Sequence, residues 1–151
     1  MKKVGTAATI GSGSPSCPAN TVSGSLTLQA NSAALVIAGN TIKGSVTDQS
    51  NTAATTFTSN AISGSLTDQG NSAPSTLSLN SVTGNLVDQS NSASSVMTQN
   101  TVLVNMTVQG NTGPAQVTSN KVTGTLLCQS NTSITGSGDT AAKLQGQCAS
   151  F

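Results

Sequence analysis

Asn60–Gln69 reads NAISGSLTDQ, and nearly the same ten residues are written six times along the chain. The other copies are NTVSGSLTLQ from Asn20, NTIKGSVTDQ from Asn40, NSVTGNLVDQ from Asn80, NTVLVNMTVQ from Asn100 and NKVTGTLLCQ from Asn120, always 20 residues apart. A shorter phrase fills the rest of each period, as in NTAATTFTS from Asn51 and NSAPSTLSL from Asn71. A fixed period of this length marks a solenoid, in which each repeat stacks on the one before.

Let the first Asn of each coil be position 0. Positions 2 and 6 are then apolar in every copy, from Val22 and Leu26 to Val122 and Leu126, and position 17 is apolar in Ile37, Phe57, Leu77, Met97 and Val117. Position 4 is Gly except at Val104, and position 13 is small. Alternation at period two means strands rather than helices. Two strands per coil, near positions 1–8 and 12–18, predict an all-β fold. The expected form is a two-faced parallel β-solenoid of about six to seven coils of 20 residues. If each coil folds flat, position 2 faces 17, position 6 faces 13, and the position-4 Gly faces 15. Large against small then fills a thin core.

Two Asn columns are expected at the corners: Asn20, Asn40, Asn60, Asn80, Asn100 and Asn120, then Asn31, Asn51, Asn71, Asn91, Asn111 and Asn131. A Gln column, with Gln69 at its centre, stands beside them. Stacked amides about 4.8 Å apart can each donate to one neighbour and accept from the other. Asn also tolerates the left-handed backbone of tight corners. Residues 1–16 read as an N-terminal extension or junction segment, 17–139 as the solenoid repeats and 140–151 as a closing segment.

Composition removes whole classes of function. Of 151 residues 6% are charged and 1% aromatic, and His, Trp, Tyr and Arg are all absent. Without His there is no Ser–His nucleophile pair and no imidazole metal cluster, so the chain does not read as an enzyme and calls for no cofactor. A net charge of +1 offers no basic footprint for nucleic acid. No apolar run of about 18 residues exists to span a membrane. Asp48, Asp68 and Asp88 recur at position 8. They are expected as an exposed, solvated column whose mutual repulsion, about 1 kcal/mol per pair in water, a hard cation such as Ca²⁺ would relieve.

The ends leave the pattern. Cys17 falls at the apolar position 17 and suggests a starting rung, while residues 1–10 have no clear frame. Cys128 and Cys148 both fall at position 8 on adjacent rungs, within disulfide reach, which points to an oxidising compartment. Cys17 is left as either a small buried residue or an intermolecular bridge.

With the N-x-V-x-G coils and the ending LLCQSN…KLQGQC in view, residues 20–148 resemble a group of secreted bacterial repeat proteins whose last segment carries a Cys and a terminal G-Q-C. The resemblance implies secretion. The Q-x-N-x-A step at Gln69, Asn71 and Ala73 is similar to the repeat of curli-type fibre subunits, which implies stacked amides and a polymerising habit.

No amphipathic cap, charged end rung or proline block is evident at the C-terminus, and an uncapped solenoid end recruits another chain. The leading expectation is therefore an extracellular or cell-surface structural subunit that self-assembles head to tail into a fibre or matrix filament. Its junction would involve Val4, Ile10, Cys17, Leu144 and Phe151, with residues 1–10 laid along the neighbouring subunit. The alternatives are an ice-binding protein using outward Ser25/Thr27, Ser45/Thr47, Ser65/Thr67 and Asn105/Thr107, or a monomeric adhesive module.

Overall fold

The computed structural model describes residues 5–11 and 20–151. It is an all-β parallel solenoid, and three sheets rather than two run along it. Sheet I stacks Leu26–Gln29, Val46–Gln49, Leu66–Gln69, Leu86–Gln89, Met106–Gln109, Thr125–Gln129 and Lys143–Gly146. Sheet II stacks Ala8–Ile10, Leu35–Ala38, Thr55–Thr58, Ser75–Ser78, Ser95–Thr98, Pro114–Thr118 and Ser133–Ser137. Sheet III is a narrow ribbon of six two-residue strands, from Thr21–Val22 to Lys121–Val122. Pairing keeps the repeat frame, as in Val46↔Leu66, Leu77↔Phe57 and Val82↔Val102.

The third sheet arises because the long strand expected at positions 1–8 breaks at positions 3–5. The chain turns outward there, so the position-4 glycines do not face the interior. Their lack of a side chain serves the approach of successive rungs: a β-carbon at Gly44 would lie 2.5 Å from Ser25 Oγ and 2.6 Å from its backbone N. Beyond the break the alternation resumes in the same phase, so positions 6 and 8 face inward like position 2. The core is thus positions 2, 6, 8, 15 and 17, represented in one coil by Ile62, Leu66, Asp68, Ser75 and Leu77, all buried. Ser75 Oγ donates to Asp68 Oδ2 at 2.6 Å, so position 15 faces 8. This corrects the expected pairing of 15 with the Gly, and position 13 is half-buried from Ala33 to Ala93 and buried at Gly113.

The corners differ from expectation too. The left-handed residue is never the ladder Asn but the one before it: Ala30, Ser50, Gly70, Ser90, Gly110 and Ser130 before one column, and Gly39, Ser59, Leu79, Gln99 and Ser119 before the other. Positive φ costs a residue with a β-carbon roughly 1–2 kcal/mol, so each corner is held by the bonds of the Asn that follows.

At the start, Ala8–Ile10 joins sheet II out of the 20-residue frame. It pairs Ala8↔Leu35 and Ile10↔Ile37, 27 residues apart, and Ile10 continues the position-17 column. It does so within its own chain rather than along a neighbour. Val4 and Cys17 lie outside the described residues. At the far end the register shortens, with Ala115↔Ile134 one residue and Leu126↔Leu144 two residues short of the repeat.

Leu66 has 0% exposure, and a thin stacked core has little freedom to collapse around a void. Leu66→Ala is expected to cost about 2–5 kcal/mol, while Thr67→Ala on the outer side of the same strand stays within about 0.5 kcal/mol. Chemical denaturation of both variants checks the inward assignment.

Candidate functional site

The buried amides supply the geometry from which everything else hangs. In the first column Asn60 Nδ2 donates to Asn80 Oδ1 at 3.0 Å, and Asn60 backbone N donates to the same oxygen at 3.1 Å. The remaining Nδ2 hydrogen reaches the Ile37 carbonyl at 2.8 Å. The pattern repeats through Asn80 and Asn100. Each of these amides is therefore satisfied as buried polar groups must be. Among the Gln side chains, Gln69 donates to Gln49 at 3.1 Å and Gln89 to Gln69 at 2.9 Å on the outer side of sheet I.

The second column is interleaved with acids. Asp48, Asp68 and Asp88 are in register on sheet I and fully buried, which corrects the expectation of an exposed column. Asn51 donates to Asp48 Oδ1 at 2.8 Å and Asn71 to Asp48 Oδ2 at 3.2 Å. Asn71 also donates to Asp68 Oδ1, and Asn91 links Asp68 Oδ2 at 3.3 Å to Asp88 Oδ1 at 2.7 Å. Asn111 closes the run on Asp88 Oδ2 at 2.7 Å. These oxygens are already taken by amide donors, and among the described residues no group of three acid, Cys or His side chains is placed to hold a metal. Burial first, then the charge of Asp68, pushes the Asp48 and Asp88 carboxyls up to about 8.

A signal for this burial stands in the sequence. Coils with Asp at position 8 have a hydroxyl at position 15 (Thr55, Ser75, Ser95), while Leu28, Val108 and Cys128 are matched with Leu35, Ala115 and Ile134. Polar faces polar and apolar faces apolar, which only two inward positions require.

The C-terminal end is closed by residues that break the repeat. Asp139 takes the place of the next Asn, its Oδ1 accepting Asn120 N and Nδ2, each at 2.8 Å. Gln147 does the same for the second column, its Oε1 accepting Asn131 N at 3.0 Å and Nδ2 at 3.1 Å, while its own Nε2 donates to the Asn131 carbonyl at 2.8 Å. Cys128 and Cys148 form the expected disulfide, with Cα atoms 5.2 Å apart. A short 3₁₀ turn, Gln147–Ser150, carries Phe151 back over the last coil. A β-carbon at Gly136 would collide with the Phe151 ring, so the ring occupies the place of a position-17 side chain. Phe151 and Leu144 are thus half-buried within their own chain. Both amide columns end in an acceptor, while Ser133–Ser137 and Lys143–Gly146 are the outermost strands of their sheets.

The outward hydroxyls separate into two kinds. Ser25, Ser45 and Ser65 Oγ accept the backbone N of Ser45, Ser65 and Asn85 at 3.0–3.1 Å, and Asn105 Oδ1 accepts Thr125 N at 2.8 Å. These oxygens stitch the bend together and are not a free array. On sheet II, Thr56 and Thr58, Thr76 and Ser78, Val96 and Thr98, Gln116 and Thr118 alternate outward on successive strands, with Ser78 Oγ donating to Thr58 Oγ1 at 3.1 Å. No charged residue lies on those strands. A shallow groove of about 220 Å³ between Val96, Pro114, Gln116 and Thr135 marks the same face.

No protein-family model, curated protein or solved structure matches this chain.

Removing one cap leaves buried donors unpaired. Asp139→Ala is expected to cost about 1–3 kcal/mol by orphaning the Asn120 N–H groups, and Asp139→Asn, which restores a ladder acceptor, clearly less. Cys148→Ser should cost about 2–4 kcal/mol. Urea titrations of the three variants against the parent measure the ranking.

Proposed function

We propose that this chain is a self-capped extracellular β-solenoid that works as a monomer, adhering through sheet II to a neutral surface of regularly repeated hydrogen-bonding groups. The observation that carries the reading is the closed C-terminal end. Asp139 and Gln147 terminate both amide columns, Phe151 packs against Gly136 of the last coil, and the disulfide ties the final turn to the strand before it. A second subunit stacked there would meet no open amide ladder to continue. The disulfide supports an oxidising, extracellular setting. The outward face of sheet II is uncharged and periodic, with rungs about 4.8 Å apart and hydroxyls roughly 6.7 Å apart along the strands that carry Thr56/Thr58 and Thr76/Ser78. Such a face suits neutral polymers better than charged ones, and this reading assigns it no catalytic step.

A second reading has its own support. Paired Thr56/Thr58 present methyl and hydroxyl groups together, and Thr98 and Thr118 extend one column, an arrangement suited to ordered water. Ice binding therefore moves from the position-5 and position-7 columns to sheet II. The head-to-tail fibre remains the third reading, since it depends on an open C-terminal rung.

Sedimentation at high concentration is expected to give a monomer, with no filaments by negative-stain microscopy. The protein should pellet with insoluble cellulose or chitin, and Thr56→Lys/Thr76→Lys/Thr98→Lys should abolish this without altering strand-type circular dichroism. Filaments would return the fibre to first place. Freezing-point hysteresis without polysaccharide binding would select the ice-binding reading instead.

A further inference from the structure

The central coils contain a device that adhesion does not use. Asp48, Asp68 and Asp88 stand in one buried column, with Leu28 beside Asp48 at one end and Val108 beside Asp88 at the other. The register sets Asp48 beside Asp68 and Asp68 beside Asp88 on adjacent rungs. A carboxylate only accepts, so neighbouring carboxylates can offer each other no hydrogen bond unless one of them carries a proton.

We infer that this column holds protons in the folded protein at neutral pH and acts as a pH-operated lock on the central coils, tight in acid and loosened as the surroundings turn alkaline.

The groups facing the column allow no other neutralisation. From sheet II come the hydroxyls of Thr55, Ser75 and Ser95. From the corner come only the amides of Asn51, Asn71, Asn91 and Asn111. The described lysines, Lys43, Lys121 and Lys143, are exposed, and Asp139 belongs to the opposite amide column. Among the described residues no cation therefore balances the charge that full ionisation would place in this buried interior, and stacked carboxylates there resist ionising together.

The direction of the effect follows from proton counting. Unfolded, the three acids release their protons near pH 4. Folded, Asp48 and Asp88 hold theirs to about 8. Between those limits the native state binds more protons than the unfolded state, so stability is greatest in acid and falls as pH rises from about 4 to about 8. Each proton held changes the unfolding constant by about tenfold per pH unit in that window.

The test compares the full chain with Asp48→Asn/Asp68→Asn/Asp88→Asn, in which amides replace the acids at nearly constant shape. The parent's unfolding constant is expected to rise between tenfold and about a hundredfold per pH unit between about pH 4.5 and 7.5, and the variant's to stay flat. Infrared spectra of the folded parent near neutral pH should show the carbonyl stretch of a protonated carboxyl, absent from the variant. If the triple variant does not fold, Asp48→Asn alone should lower the slope. The parent's proton uptake on refolding, measured by calorimetry in buffers of different ionisation enthalpy, then supplies the count. A parent whose stability is independent of pH in this window, or a folded parent with no protonated carboxyl, would overturn the inference.

Discussion

An asparagine side-chain oxygen that accepts both the backbone N–H and the side-chain N–H of the asparagine one coil earlier is the constraint on which this fold rests. Asparagine can repeat this bond coil after coil when successive coils are the same length, and the period does not vary from Asn20 to Asn131. The bond explains why residues as poorly suited to positive φ as Leu79 and Gln99 occupy corners. Buried amides whose polar groups are paired at every rung supply the local free energy that holds the preceding residue in a conformation it would not choose.

Those corners surround an interior too narrow for an ordinary core. Near its ends the interior between sheets I and II is apolar, with Leu28 and Leu35 at one end and Val108 and Ala115 at the other. Between them, acids, hydroxyls and amides fill the same volume. The two halves do not mix because an unpaired polar group costs more than a paired one gains. Each Asp is therefore accompanied by its hydroxyl and two amides. The same reasoning explains the end of the chain. Once the repeat stops, the last Asn of each column still needs an acceptor, and Asp139 and Gln147 reach that place by shortening the final turns.

Sequence by itself determined the period, the strand character, the inward columns at positions 2, 6 and 17, both amide ladders and the Cys128–Cys148 bridge. Each of these follows from identity repeated at a fixed step, and stacking turns equal sequence positions into neighbours. Only the tertiary structure decided where the coil bends. A break at positions 3–5 turns the position-4 glycines away from the interior, while positions 6 and 8 keep the phase of position 2 and carry Asp48, Asp68 and Asp88 inward. Alternation alone therefore allows position 8 inside, but a carboxylate at a strand end reads as solvated unless its buried partners are known. The correlation between positions 8 and 15 records those partners, as a relation across the interior rather than along the strand. The closed end was hidden for a similar reason: Asp139 and Gln147 act one residue and several residues out of frame. A side chain reaching back in space can finish a ladder that the repeat itself does not continue.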